Sequence, residues 1–324
     1  MSPPLRATTA TASCTDMWAV TAYFNPVHFK RRRQNYHVFR RQLAVPLVAV
    51  ELSFDGAFDL KTGDADVLIQ LHGRDVMWQK ERLLNIGLRH VPASCRKVAW
   101  VDCDVIFERD DWMVRASSAL DRCAIVHLFD ERHDLAPDAR MDSRPTSHAE
   151  ATACSSVYKL VTGRAAADEF RRLGAVGALR STTGLAWAGR RELLDRHGLY
   201  DACIAGSGDK ANACAALGRL DDAVVAHQMN SRRADHYRAW ATSFSDAVQR
   251  SVGYVPGRIF HLWHGDLKNR RYAERPSWLE RFDPFTDIAL DSNDCWRWSS
   301  DKPELHTRLW QYFESRLEDG HAAV

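Results

Sequence analysis

Two aspartates spaced i and i+2 follow a short apolar run about a third of the way along the chain. Asp102 and Asp104 come directly after Val98–Val101, a segment whose apolar pattern predicts a buried strand. If strand alternation continues, both side chains point the same way and reach one site. Two adjacent carboxylates repel each other and are costly to bury without a cation. The pair therefore predicts a divalent metal at the carboxyl end of a strand, although aspartate also commonly ends strands at turns.

A second segment with this chemistry lies near residue 260. His261 and His264 are three residues apart and are followed by a basic cluster. One imidazole could join the metal held by the aspartates, and mixed carboxylate and imidazole ligation suits Mn²⁺ better than Mg²⁺. A histidine taken alone is more often a hydrogen-bonded structural residue. Four cations of this segment could neutralise a diphosphate: Arg258, Lys268, Arg270 and Arg271.

A small-residue turn precedes a third acidic residue. Gly206 and Gly208 flank Ser207 and are followed by Asp209. Two glycines so placed allow the backbone to approach a ligand closely. Asp209 should open the next helix, where its carboxylate either caps the helix or faces the site.

The elements that must position these residues follow a repeating order. Apolar runs at 18–24, 47–52, 66–71 and 98–101 predict strands, and periodic segments between them predict helices. Asn25, with the proline after it, ends the first strand. Strands alternating with helices indicate an α/β fold with a mostly parallel central sheet flanked by helices.

The later part of the chain is less regular. Residues 130–150, rich in Asp, Arg, Pro and Ser, predict a long irregular loop of the kind that often binds ligands. Residues 151–173 are expected to be mostly helical. Residues 181–194 predict a strand, a turn and a helix, and a final helix is expected near residues 303–317.

Composition excludes some classes of protein. The chain has 324 residues, 45% hydrophobic residues and a net charge of +2, a balance that argues against a nucleic-acid partner. No apolar run is long enough for a transmembrane segment. Residues 1–16 lack the apolar core of a signal peptide and predict a disordered leader. Eight scattered cysteines without a Cys-x-x-Cys pair favour a reduced, cytoplasmic protein. The 11 tryptophans suit either sugar stacking or core packing.

Five segments, taken in order, resemble the motifs of one enzyme family. They are Trp78–Gly87, Asp102–Asp104, Gly184–Leu194, Gly206–Asp209 and His264–Asn269. They are similar in turn to an aromatic-Asn-Arg-Ala-Lys-Leu-Leu-Asn-Val-Gly segment, an Asp-Val-Asp motif, a Gly-Gly-Val-Ser-Ala block, a Gly-Trp-Gly-Gly-Glu-Asp motif and a His-Ser-Arg-Asp-Lys-Lys-Asn motif. That combination is typical of GT-A fold glycosyltransferases, in particular of the β-1,4-galactosyltransferase catalytic domain.

The resemblance implies a fold and a domain boundary. It covers roughly residues 75–275 and implies a single GT-A, Rossmann-like catalytic domain over residues 17–275. Residues 276–324 would form a helical, Trp-rich extension packed on that domain. The chain departs from the family at Gly206–Asp209, where the tryptophan is missing and the acidic pair is reduced to one residue. Because that motif shapes the acceptor pocket, the acceptor does not follow from the resemblance.

The resemblance also implies an activity. It is the inverting, metal-dependent transfer of a hexose from a nucleotide-diphosphate sugar, above all a UDP-sugar, to a hydroxyl of a glycan or another acceptor. Mn²⁺ or Mg²⁺ would bind Asp104 and His264, with Asp102 near the ribose or the metal and His261 as an alternative ligand. Asp209 would be the base that activates the acceptor. The implied nucleotide-sugar contacts are Asn25, Lys80, Asp102, Gly184, Trp187, Gly208, Lys268 and Arg271.

Three other functions use the same features. A dehalogenase-like phosphatase also has an apolar strand ending in Asp-x-Asp, but there the motif usually opens the domain. A nucleotidyltransferase would use the same metal and would consume a nucleoside triphosphate without sugar transfer. A non-catalytic carbohydrate-binding relative would need neither the metal nor the base, so Asp104, Asp209 and His264 would be mutable without loss of glycan binding.

Overall fold

The computed structural model describes residues 16–139, 152–165, 171 and 180–320. The predicted leader, apart from Asp16, lies outside these residues, as do the second half of the predicted 130–150 loop and much of the 151–173 segment. Of the helices that the structure describes, none combines the length and the apolar character needed to cross a bilayer. The seven cysteines of the described residues carry free thiols.

Strands and helices alternate through the first hundred described residues and are more mixed afterwards. The strands are β1 (Met17–Phe24), β2 (Leu47–Ser53), β3 (Val67–His72), β4 (Lys97–Val101), β5 (Val105–Phe107), β6 (Ile125–His127), β7 (Glu131–Asp134), β8 (Ala153–Ser155), β9 (Arg180–Thr182), β10 (Ala186–Arg190), β11 (Val252–Tyr254), β12 (Arg258–His261), β13 (Ile288–Leu290) and β14 (Trp296–Trp298). The helices are α1 (Lys30–Gln42), α2 (Lys80–Leu88), α3 (Trp112–Leu120), α4 (Ser156–Val161), α5 (Arg191–His197), α6 (Gly208–Ala216), α7 (Leu220–Ala226), α8 (Ser231–Val248), α9 (Arg275–Trp278) and α10 (Pro303–Ser315), with a 3₁₀ turn at Leu267–Arg270.

The central sheet of the described residues has seven strands in the order β11-β6-β10-β4-β1-β2-β3. The pairs β4–β1, β1–β2, β2–β3 and β11–β6 are parallel. β10 runs antiparallel to both of its neighbours, β4 and β6. The predicted α/β class with a mostly parallel central sheet is confirmed.

Alternating side chains of the central strands bury apolar surface on both faces of the sheet. Val20 of β1 packs on one face in a cluster with Leu84 of α2. Its neighbour Ala19 points to the other face, into a cluster that includes Tyr36 and Phe39 of α1. The sheet therefore separates two cores, and helices cover each of them, as βαβ connections require.

A second, smaller sheet lies beside the first and has the order β5-β12-β7-β8-β9. β12 is antiparallel to β5 and parallel to β7, so His261 at the end of β12 is paired with Asp134 at the end of β7. The sequence of β7, Glu-Arg-His-Asp, has no apolar alternation. Its strand conformation depends on pairing with β12 and β8, which explains why a loop is predicted there.

Two other predicted segments differ from the structure in their elements. The predicted strand, turn and helix over 181–194 contains an additional strand, because Trp187–Gly189 pairs with both β4 and β6 before α5 begins at Arg191. In the predicted helical segment 151–173, the described residues form a strand, β8, followed by the short helix α4.

Residues after 276 pack directly against the first half of the chain. The side chain of Gln79 accepts a hydrogen bond from the backbone amide of Trp296 at 2.7 Å and donates one to its carbonyl at 2.9 Å. Phe313 of α10 stacks on Trp78 with ring centroids 6.1 Å apart. Asp319 accepts hydrogen bonds from the backbone amides that begin α1. The proposed boundary between 17–275 and 276–324 stays a prediction.

Candidate active site

A cleft of about 510 Å³ opens where β4 of the large sheet and β12 of the small sheet end. This is the edge at which open α/β sheets bind ligands. The cleft brings together residues that lie far apart in the sequence. Its lining includes Lys80, Asp102, Asp104, Asp209, His261 and His264.

One half of the cleft holds a lysine between two carboxylates. The Nζ of Lys80 lies 2.6 Å from Oδ1 of Asp102 and 2.8 Å from Oδ2 of Asp209. Lys80 begins α2, Asp102 follows β4, and Asp209 lies in the first turn of α6. Three elements therefore converge on one ammonium group, and Asp209 faces the cleft instead of capping its helix.

The electrostatics of this half depend on burial and on the lysine. Burial raises the pKa of Asp102 to about 7, and the opposing attraction of Lys80 does not cancel that rise. Burial also raises the pKa of Glu81 to about 8. The neighbouring carboxylates hold the pKa of Lys80 well above its usual value, although burial alone would lower it. Lys80 is therefore a permanent cation that balances the acidic groups around it.

Glycines allow the backbone to come close to this cluster. A Cβ at Gly184 would lie 2.7 Å from Oδ2 of Asp209, so a larger residue at this position would force that carboxylate to shift. Gly206 and Ser207 have φ of 87° and 70°, in the left-handed region. This turn places Asp209 at the start of α6 with its side chain toward Lys80.

The other half of the cleft carries an acid and two imidazoles. Nε2 of His264 lies 3.1 Å from Oδ2 of Asp104 and 3.1 Å from Nε2 of His261. One ligand atom from each residue lies within 4.8 Å of the other two. Oδ1 of Asp104 is buried and has no hydrogen-bond partner among the residues that the structure describes, and a buried carboxylate oxygen normally has one. This donor set fits a divalent cation such as Mn²⁺.

Further charged residues surround the possible metal ligands. Asp134 Oδ1 lies 3.0 Å from Nδ1 of His261, the arrangement by which a carboxylate fixes the orientation of a ligating imidazole. Arg270 donates to the ring of His264 at 2.8 Å. Burial and Arg270 together lower the pKa of His264 to about 3, so its imidazole is neutral near pH 7, which is the form that binds a metal.

Asp102 and Asp104 line one cleft but have different partners. Asp102 bonds to Lys80, whereas Asp104 faces His261 and His264. The predicted common direction at strand spacing does not hold, because β4 ends at Val101 and the two aspartates lie in a turn. Among the described residues, the group that could hold a metal contains His261 but not Asp102.

The remaining predicted nucleotide-sugar residues are divided between the cleft and other places. Gly184 and Lys268 line the cleft. Asn25 lies outside its lining and donates hydrogen bonds to Phe29 and Asp59. Trp187 is buried in the central sheet. Its indole donates to the carbonyl of Thr183 and stacks on Trp100.

Gly208 and Arg271 are near the cleft without lining it. A Cβ at Gly208 would clash with the carboxylate of Glu81, so this glycine makes room for Glu81. Arg271 is largely exposed and lies 3.8 Å from Glu274.

Several charged residues at the cleft are not apparent from the motifs. Arg32 and Arg316 line the cleft and share Glu318, at 2.9 Å and 2.6 Å. Arg32 belongs to the basic run of residues 30–33. The sequence alone predicts that this run is a solvated helix face, with a phosphate contact as the alternative interpretation. Arg316 and Glu318 lie beyond every recognised motif. Their only sequence signal is an arginine and a glutamate two residues apart, directly after an amphipathic helix.

Comparisons with known proteins give structural matches only. No protein-family model matches the chain, and no curated protein matches it. It is similar to S. aureus TarS 1-349 (10% identity, 72% of this chain and 73% of that chain, TM-score 0.36). It is also similar to the catalytic domain of Drosophila β1,4-galactosyltransferase 7 in complex with xylobiose (12%, 64% and 61%, 0.31).

A third match is glucosyl-3-phosphoglycerate synthase from Mycobacterium tuberculosis, solved with Mn²⁺, UDP and phosphoglyceric acid (13% identity, 85% of this chain and 81% of that chain, TM-score 0.40). The identities and TM-scores of these three matches are low, and the function proposed below rests on the geometry of the cleft and on the motifs that it brings together.

Proposed function

We propose that this chain is a metal-dependent glycosyltransferase that moves a hexose from a UDP-sugar to an acceptor hydroxyl with inversion. One observation carries the proposal. A possible metal site (Asp104, His261 and His264) and a carboxylate–lysine cluster (Lys80, Asp102 and Asp209) line the same cleft. Sugar transfer from a nucleotide-diphosphate sugar needs a cation for the leaving diphosphate and a base for the acceptor hydroxyl. The metal site would supply the cation, and the carboxylate–lysine cluster would supply the base.

The metal half would bind the leaving group. Asp104, His261 and His264 would hold Mn²⁺ or Mg²⁺, which when bound supplies a Lewis acid for the developing diphosphate charge. Arg270 and Lys268, both at the cleft, would add positive charge without covalent chemistry. Asp102 would contact the nucleotide sugar from the turn after β4.

The lysine half would activate the acceptor. Asp209 would accept the proton of the acceptor hydroxyl as its oxygen attacks the anomeric carbon opposite the leaving diphosphate. Attack from the opposite face inverts the configuration at that carbon. Lys80, which donates to both oxygens of Asp209 at 2.9 and 2.8 Å, would orient the carboxylate. The ammonium group of Lys80 would also place a positive charge near the departing diphosphate.

Five further site residues and the location of the protein remain predictions. Gly184 would contribute by its close approach to Asp209, and Asn25, Trp187, Gly208 and Arg271 stay predicted contacts that lie outside the cleft lining. The cytoplasmic location is likewise a prediction from the cysteine pattern.

The first test is calorimetric titration of UDP into the protein with and without Mn²⁺. We expect binding that depends on the metal and is lost in Asp104→Ala, because the buried carboxylate is its only acidic ligand in the proposed group. Asp235→Ala, an exposed aspartate on α8, is the matched control and should bind like the wild type. Failure of UDP to bind in either condition would contradict the proposal.

The second test separates the base from the binding residues. With a UDP-hexose that the protein hydrolyses, transfer to an acceptor is followed by NMR of the new anomeric proton. Asp209→Asn should abolish transfer while UDP binding with Mn²⁺ changes little. A product that retains the donor configuration would refute direct attack assisted by Asp209.

A further inference from the structure

Arg275 is a buried cation that the proposed reaction does not yet use. The residue is 5% exposed, lines the cleft and begins α9. The nearby acid Glu274 pairs with Arg271, and no ion pair to Arg275 is found among the described residues. Its Nε is buried and has no hydrogen-bond partner in the part of the chain that the structure describes.

The guanidinium is held in place by neutral groups. Nη1 donates to the carbonyl of Ala205 at 2.8 Å. The guanidinium carbon lies 4.3 Å from the ring centre of Tyr272 and 5.4 Å from that of Tyr312. Aromatic faces attract a cation but supply no negative charge. The arrangement fixes the fork of Arg275 without neutralising it.

Such an arrangement is costly unless something else pairs with the cation. A buried charge is normally paired, and each donor left without a partner adds to the cost of burial. Arg32 and Arg316, by contrast, share the buried carboxylate of Glu318. Because Arg275 lines the cleft and the described residues hold no such acid for it, the partner that the geometry indicates is an anion bound in the cleft.

Tyr312 lies beside Arg275 and Arg316 at the wall of the cleft. Burial alone would raise the pKa of its hydroxyl, but the guanidinium groups of Arg316, Arg275 and Arg270 together lower it below the usual value. The hydroxyl accepts a hydrogen bond from Arg316 at 2.8 Å. Three cations thus act on one phenol at the wall of the cleft.

Arg275 lies on the side of the proposed base. A Cβ at Gly206 would be 2.6 Å from Nη1 of Arg275, and Asp209 follows three residues later in the same turn. Arg270, in contrast, contacts His264 on the metal side. A ligand group that reaches Arg275 therefore belongs to the molecule that meets Asp209.

The negative charges of a nucleotide-sugar donor would have other positive partners in the cleft. A diphosphate would meet the metal, Arg270 and the Arg32–Arg316 pair, which share a single acid. That leaves Arg275 for another anion. Resting on the proposed function, we propose that Arg275 binds an anionic group, a carboxylate or a phosphate, on the acceptor. The acceptor class is thus an acidic hydroxyl compound.

The test uses inorganic phosphate and acetate as probes, which represent the two anion chemistries. Each is titrated by calorimetry into the full chain, first alone and then saturated with UDP and Mn²⁺ so that the diphosphate site is occupied. At least one probe should bind the loaded wild type. Its affinity should fall about tenfold or more in Arg275→Gln, because a charge-assisted pair is lost, while UDP binding stays within about twofold. The probe that binds identifies the anion.

A matched control and a second variant protect the interpretation. Arg308→Gln removes an exposed arginine on α10 and should leave both titrations unchanged. Arg275→Lys keeps the charge and loses the forked donors, so it should weaken the probe less than Arg275→Gln does. Circular dichroism and thermal unfolding show whether each variant is folded. If Arg275→Gln is not folded, the anion affinity of Arg275→Lys is compared with that of the wild type instead.

The other possible results of the titrations distinguish the anion-site proposal from the proposed transferase function. Absence of binding of both probes to the loaded wild type would overturn the proposal. So would binding that is equally strong in the Arg275 variants. If UDP does not bind but a probe binds in an Arg275-dependent way, the anion site stands and the proposed transferase function falls.

Discussion

Replacing Glu318 by glutamine should destabilise the protein strongly, although the residue lies outside every recognised sequence motif. Glu318 is 1% exposed. Its carboxylate accepts two hydrogen bonds from Arg32, both at 2.9 Å, and one from Arg316 at 2.6 Å. A glutamine amide keeps one acceptor oxygen and points an NH₂ group at a guanidinium. Arg32 and Arg316 then lose the one acidic group with which they form ion pairs among the described residues.

The expected magnitude follows from the number of charges left unpaired. Removing one partner of a buried ion pair costs about 3–5 kcal/mol, and here one acid serves two arginines. Urea denaturation at pH 7 should therefore show a loss of unfolding free energy in this range for Glu318→Gln. Glu314→Gln, an exposed glutamate on α10, is the control and should change the free energy by less than about 0.5 kcal/mol.

The ion pairs of Glu318 with Arg32 and Arg316 also predict how the free energy of unfolding depends on pH. Burial alone would raise the pKa of Glu318, but Arg32 and Arg316 hold it well below its usual value of 4.5. A lowered pKa contributes stability that is complete above pH 4.5 and is lost as the pH falls further. The gap between wild type and Glu318→Gln should be constant at neutral pH and should narrow in acid. A gap below about 1 kcal/mol at pH 7, or one that widens in acid, would refute the reasoning.

Three further substitutions test close packing and burial. Gly184→Ala places a Cβ 2.7 Å from Oδ2 of Asp209, so transfer should be lost while titration still detects UDP binding. Gly87→Ala places a Cβ 2.5 Å from Cγ1 of Val20 and should lower the unfolding free energy by about 1–3 kcal/mol in urea. Glu81 has a pKa raised to about 8 and Asp102 one raised to about 7, so wild-type stability should fall from pH 4.5 to 8; Glu81→Gln should reduce that fall in thermal unfolding and leave the part that Asp102 contributes below pH 7.

The central strands and their helices are predictable from the sequence because local physics determines them. Alternation in β1 and helical spacing around Tyr36 and Phe39 specify which residues enter each core, and the structure buries them accordingly. β7 is different, since its polar residues form a strand only by pairing with β12 and β8. A single-sequence pattern contains no information about such partners.

The site is predictable to the extent that its residues occur in motifs. Asp102, Asp104, Asp209, His261 and His264 all line one cleft, although which of them share partners depends on a turn that the sequence does not specify. Trp187 shows the opposite case. Its indole has the chemistry of a sugar platform, but pairing of β10 with two neighbours buries it. Arg275 and Glu318 become significant only through contacts with distant segments.

The antiparallel strand β10 has a consequence for how the chain folds. Without it the central sheet is two separate pieces, β4-β1-β2-β3 and β6-β11, because β10 alone joins β4 to β6. β10 lies about ninety residues after β4, so closing that pairing requires a large loss of chain entropy before any hydrogen bond rewards it. We expect the β1–β4 unit to become protected from hydrogen exchange first during refolding. The amides of β10 should follow late, and the cleft, whose wall includes the residues just before this strand, should form with them.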